Sequence, residues 1–151
     1  MRFVVGVARG AVLALAALLL TIDSCAFAAV TSLADAAERG DAEAIRELLA
    51  SRGDDFDVDA AQADGMTALH WAAYNDDAPT VTSLIAAGAD ANVANRYGVT
   101  PLSLACTNGS ADVVKLLLEA GGDANAALRG GETPLMIASR TGRLAAVREI
   151  L

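Results

Sequence analysis

Gly65-Met66-Thr67-Ala68-Leu69-His70 returns as Gly98-Val99-Thr100-Pro101-Leu102-Ser103 and again as Gly131-Glu132-Thr133-Pro134-Leu135-Met136, each time 33 residues later. A supersecondary unit of that size cannot hide its own apolar face. Copies must therefore stack and share one continuous core, which makes the molecule a short solenoid. The register extends further, through the small pairs Ala72-Ala73, Ala105-Cys106 and Ala138-Ser139 and the apolar pairs Leu84-Ile85, Leu117-Leu118 and Ile150-Leu151. Two units close on the same turn, Ala87-Gly88-Ala89-Asp90-Ala91-Asn92 and Ala120-Gly121-Gly122-Asp123-Ala124-Asn125.

Thr67-Ala68-Leu69-His70-Trp71-Ala72-Ala73, on this period, resembles the ankyrin repeat motif. The resemblance covers about Leu33 to Leu151 and implies an all-α, ankyrin-repeat solenoid of about four stacked helix-turn-helix units with projecting turns. The units run about Thr31 to Ala63, Asp64 to Arg96, Tyr97 to Arg129 and Gly130 to the end, the last incomplete. The first is degenerate: it lacks the threonine-leucine-histidine opening and carries three extra residues within Ser51 to Phe56. Its many charges suit a solvent-facing end.

The local physics is legible position by position. Thr67, Thr100 and Thr133 can cap a first helix, and Pro101 and Pro134 fall at its first position, where a missing N–H costs nothing. Leu102, Ala105 and Cys106 then share one face at i, i+3 and i+4. Asp112 is expected to open the second helix, Val113, Val114, Leu117 and Leu118 to line its face, and Gly121 to end it. Ile150 and Leu151, which no later unit covers, should fray or seek a partner surface.

Residues 1–28 read as an export signal: Arg2 and Arg9, an apolar run from Ala11 to Ile22, and Ala26-Phe27-Ala28 as a small-x-small cleavage site. The alternatives are a membrane anchor, for which the run falls short of the roughly 20 residues a spanning helix needs, and a lipid anchor on Cys25. Asp23, two residues before that cysteine, counts against the lipid. Cleavage after Ala28 leaves residues 29–151 as one domain, exported to the periplasm or secreted, with no membrane contact of its own. Leader style and alanine-rich composition point to a bacterial source. Of 11 basic and 19 acidic residues, 9 and 18 remain, a formal charge of −9 that repels nucleic acid. A basic patch on a partner would be drawn in faster, and the charge also keeps an exported solenoid soluble.

Only Cys106 survives cleavage, so no intrachain disulfide forms, and its position matches Ala73 and Ala37. A small buried residue is the simplest reading. His70 is the sole histidine, without companions for metal or acid–base work, and in the resembling family it holds the helix start to its neighbours. Asp55, Asp57 and Asp59 alternate as calcium ligands do, yet Ala60 and Met66 stand where such a loop needs Gly and Glu. That run reads as a solvated insertion. No phosphate-binding loop, nucleophile elbow or dinucleotide fingerprint occurs, so neither catalysis nor a cofactor is expected. Trp71 reads as a core wedge whose indole N–H needs an acceptor.

In ankyrin proteins partners touch the projecting turns and the exposed ends of the first helices. Carried over by position, this implies a protein-binding strip of Ala63, Asp64, Met66, Tyr74 and Asn75 in unit two. Unit three adds Arg96, Tyr97, Val99, Thr107 and Asn108, and unit four Arg129, Gly130, Glu132, Arg140 and Thr141. Tyr and Arg are typical interface anchors. The expectation is a monomeric, exported, protein-binding module without chemistry of its own. The alternative is an accessory or assembly factor for a periplasmic enzyme, or a fragment whose activity lies in a missing C-terminal part.

Overall fold

The structure, a computed structural model, describes residues 32–53 and 55–151. The expected leader, Cys25 and Asp54 lie outside the described residues. The described residues hold eight α-helices and no strand: α1 (Leu33–Glu38), α2 (Ala42–Ala50), α3 (Ala68–Tyr74), α4 (Ala78–Ala86), α5 (Pro101–Asn108), α6 (Ala111–Glu119), α7 (Pro134–Arg140) and α8 (Leu144–Ile150). Helices of 6 to 9 residues are too short to persist alone in water, so packing must hold them. Each odd helix packs on the even helix that follows it, and the odd helices stack α1 on α3 on α5 on α7. Of the even helices, α4 packs on α6 and α6 on α8, whereas α2 has no comparable contact with α4.

Thr67, Thr100 and Thr133 cap α3, α5 and α7, each accepting the backbone N–H three residues on, and Pro101 and Pro134 lead their helices. In unit one the opening missing from the sequence pattern is supplied by Ser32. Its hydroxyl accepts from Asp35 N–H at 3.0 Å while the Asp35 carboxylate reaches back to Ser32 N–H. Asp41 and Asp77 cap α2 and α4 at 3.0 and 3.1 Å. Asp112 does not open α6, contrary to expectation. The helix starts at Ala111 after Ser110, and Asp112 lies in the first turn, where a negative charge meets the positive end of the helix dipole. The Ser110 hydroxyl caps nothing because it is spent on the Asp76 carboxylate of the preceding unit. The α4 and α6 helices end in the same double bond pattern, Ala89 N–H to Leu84 O with Gly88 N–H to Ile85 O, and Gly122 to Leu117 with Gly121 to Leu118.

Leu69 and Leu102 are each 1% exposed, and Ala72, Ala73, Ala105, Cys106 and Ala138 are sealed with them. Small side chains let neighbouring helices approach closely. In unit four the same positions open up: Leu135 is half-buried, Ser139 exposed and Met136 57% exposed, because the face pointing away from unit three is uncovered. Ile150 differs from expectation. It packs partly against the core, and only Leu151, at 88% exposure, stands clear.

Gly65 and Gly131 both have left-handed backbone, φ +87° and +82°. A Cβ on Gly65 would also sit 3.0 Å from Arg96 N and Asn95 Cα of the next turn, while nothing lies within 4 Å at Gly131. Gly131→Ala should cost about 1–2 kcal/mol from backbone strain alone, and Gly65→Ala clearly more, as read from urea unfolding midpoints.

Candidate functional site

The projecting turns are built identically. Gln62, Asn95 and Leu128 each open a four-residue turn closed by its last residue, a glycine whose N–H donates to their carbonyl at 2.8 to 2.9 Å, and their own N–H donates to the carbonyl of Met66, Val99 and Glu132 at 2.9 Å. The Asn95 Oδ1 accepts from Tyr97 and Val99 N–H at 2.9 and 3.0 Å, and Asp64 Oδ1 from Met66 N–H at 3.0 Å. Leu128 cannot do this. Successive turns also join, Arg96 N–H donating to Asp64 O at 3.0 Å.

This construction sorts the strip into groups. At the turn tips Ala63, Arg96, Tyr97, Arg129 and Gly130 are exposed, Tyr97 to 67%, and Asp64 is half-buried. On the first helices Tyr74 (54%), Thr107 and Arg140 are exposed, and Arg140 pairs with Glu132 at 3.4 Å. Val99 is half-buried, and Met66, 8% exposed, receives the Asn95 amide on its sulfur at 3.3 Å. Asn75 and Asn108 hold the stack together, their side chains donating to first-helix carbonyls of the preceding unit. Asn75 reaches Ala37 O at 3.0 Å, and Asn108 reaches Tyr74 O at 2.5 Å and Ala73 O at 3.3 Å, whereas the Thr141 hydroxyl turns back on its own helix, to Ile137 O at 3.0 Å and Ala138 O at 3.1 Å. Their recurrence at one register position was the available signal for it.

His70 is fully buried, and its bonds fix its protonation state. The Val99 carbonyl, 2.9 Å from Nε2, can only accept, so Nε2 carries the proton, and Nδ1 accepts Thr67 N–H at 3.2 Å. The ring thus ties the cap of unit two to the turn of unit three. Burial pushes its pKa below the usual imidazole range, against the opposing pull of the Val99 carbonyl and the Asp64 carboxylate. Ser103, at the equivalent place, is too short to cross: its hydroxyl donates to Thr100 O at 2.7 Å within its own unit. Burial likewise pushes the Cys106 thiol up to about 11, a packed and unreactive sulfur.

The acceptor for Trp71 is Gln62 Oε1, at 2.8 Å, and the Gln62 amide donates to Asp35 at 2.7 Å and Glu38 at 2.8 Å in unit one. That amide, followed by the Ser32 hydroxyl, holds the Asp35 carboxyl below its ordinary value. Trp71 is partly buried against the core and meets Tyr74 edge-on, ring centroids 5.9 Å apart. On the other edge of the stack a second ladder runs. Asp59 accepts Asp90 N–H at 3.1 Å, Asn92 Oδ1 accepts Asp123 N–H at 2.8 Å, and Asn92 Nδ2 donates to Gly121 O at 2.9 Å. Burial raises the Asp59 pKa. Asp57 Oδ1 takes Asp59 N–H at 2.9 Å, so two of the carboxylates that alternate like calcium ligands bind backbone N–H groups. Among the described residues no three His, Cys, Asp or Glu side chains gather as metal ligands. Where α2 and α4 stand apart, a cleft of about 550 Å³ opens between Ile45, Arg46 and Leu49 on one side and Pro79, Thr80 and Ser83 on the other, bridged by Arg52 Nη1 to Ala87 O at 3.4 Å. It contains none of the strip residues.

The family model for ankyrin repeats in sets of three copies matches residues 8–95, 33–127 and 70–151. The chain belongs to the ankyrin repeat family, whose repeats are a protein–protein interaction fold. Among curated proteins it is similar to the palmitoyltransferase akr1 of Schizosaccharomyces pombe (strain 972 / ATCC 24843), 41% identical over 61 residues. That match spans 40% of this chain and 9% of the relative. No helix among the described residues is long and apolar enough to cross a membrane.

Because only the neutral ring fits its site, His70 should destabilise the fold in mild acid. Unfolded chains protonate near 6.5 while the folded ring resists, so stability is full above 6.5 and falls as pH drops toward the lower folded pKa. His70→Gln should flatten that part of the urea-midpoint profile. His70→Ala, which strands the Thr67 N–H and takes from the Val99 carbonyl its bond across units, leaving it only Asn95 N–H, should cost about 2–4 kcal/mol at neutral pH.

Proposed function

We propose that the protein is an exported, monomeric binding module that holds a protein partner outside the cytoplasm through the turn tips and first-helix ends. The observation that carries this reading is the contrast between interior and strip. His70 and Cys106 are locked in packing, whereas Tyr74, Tyr97, Arg96 and Arg129 stand exposed on rigid supports. Large amphipathic side chains held that way lose little entropy on binding and suit a protein surface. Replacing Tyr74, Tyr97 and Arg96 together by alanine should abolish capture of the partner from an extracytoplasmic extract, read by mass spectrometry, with far-UV circular dichroism unchanged. Undiminished capture would move the interface elsewhere.

Export rests on residues 1–28, with their basic start, apolar run and Ala26-Phe27-Ala28 site. Amino-terminal sequencing of the exported protein should begin at Ala29; an intact Met1 on mature protein would remove the export reading.

A second reading is a binding unit in the service of an enzyme, either as an assembly factor or as part of a longer chain with activity elsewhere. The similarity to a short stretch of a palmitoyltransferase favours it. Copurification of an enzyme with the captured complex separates the two.

A further inference from the structure

The charge is lopsided along the stack. Units one and two (residues 31–96) carry 13 acidic and 4 basic side chains, units three and four (97–151) 5 of each. Across this change in charge two arginines stand on successive turn tips. Arg96 is anchored through its N–H on Asp64 O, and the Arg129 stem lies against Gly98, its Cγ 3.4 Å from where a Cβ would be. Both are exposed, and among the described residues no carboxylate lies within ion-pair distance of either. Tyr97 stands beside Arg96, 67% exposed.

We propose that Arg96, Tyr97 and Arg129 form a recognition site for a short acidic segment of the partner protein in polyproline II conformation, its two carboxylates three residues apart. This rests on the strip being the interface and adds the chemistry of what it reads. Stacked units repeat at roughly the 8–10 Å of packed helices, which sets the spacing between equivalent tips. A polyproline II chain rises about 3.1 Å per residue with three residues per turn, so residues i and i+3 share a face about 9 Å apart. A β-strand does not match: i and i+2 fall about 6.6 Å apart, and i and i+3 face opposite ways. Each guanidinium can take a carboxylate with two parallel N–H donors, and the exposed Tyr97 ring offers a flat surface for a proline between them. A long polyanion such as nucleic acid is disfavoured, because beyond Arg96 it would meet Asp64, whose carbonyl takes the Arg96 N–H, and Asp35 and Glu38, which Gln62 holds beside the preceding turn.

The test uses the full exported chain and a fluorescein-labelled peptide with a Glu-Pro-Pro-Glu core, read by anisotropy at low salt. The expected result is binding at least about tenfold tighter than that of the Lys-Pro-Pro-Lys peptide, weakening as salt is raised. The Arg96→Glu, Arg129→Glu double variant, exposed at both positions and so still folded by circular dichroism, should reverse the preference. No binding of the Glu peptide at about 1 mM, equal binding of both peptides, or tighter binding of a thymidine oligonucleotide would overturn the proposal. Failure of the strip itself looks different: the triple alanine variant would still capture its partner. If the triple variant loses capture while the double variant binds the Glu peptide like the parent, the acidic specificity alone is wrong.

Discussion

Contact between neighbouring units sustains everything else in this molecule, since no helix among the described residues exceeds 9 residues and none could hold its shape unaided. The contact is made by small residues. Ala72 and Ala73 in one unit and Ala105 and Cys106 in the next are sealed, and their lack of bulk lets Leu69 and Leu102 interlock between helices. In such an array each unit is stabilised chiefly by the one before and the one after, so damage at a single interface stays local in structure while its free-energy cost is felt by both neighbours.

Polar bonds reinforce those contacts at three heights. Near the helix starts, His70 spans from Thr67 to Val99; at the far ends of the first helices, Asn75 and Asn108 grip the preceding unit; past the second helices, Asp59 and Asn92 hold the N–H of the next turn. Among the groups they meet, Thr67 N–H and Tyr74 O are ones that the short helices leave without partners. The sole histidine and the sole described cysteine are thus parts of the frame.

Features governed by local stereochemistry were legible in the sequence. Threonine caps, prolines at the first helical position and the buried Leu69 and Leu102 follow from residue type and spacing, and the structure has them. Features that need a contact across units were not. Asp112 looks like the opening of α6 until Ser110 is seen before it, bonded to Asp76; Asn75 and Asn108 look like partner contacts until the neighbouring carbonyls arrive; and Gln62 has no local reason to accept from Trp71. The turn tips were placed by family resemblance, and the charge asymmetry across them needed stacked turns to acquire a direction. The three extra residues after α2 were visible, whereas their association with a gap beside α4 was not.

That gap gives the stack a weak storey. With α2 resting mainly on α1, unit one reaches unit two on this edge through Arg52 to Ala87 and, past the helix, through Asp59 to the Asp90 N–H. Its outer helix can peel off while α1 keeps its place on α3, so amide protons in α2 will exchange with solvent well before those in α4 or α6. The unit-one end of the stack therefore opens first, and the rungs bearing Tyr74, Tyr97 and Arg129 stay shut while it does.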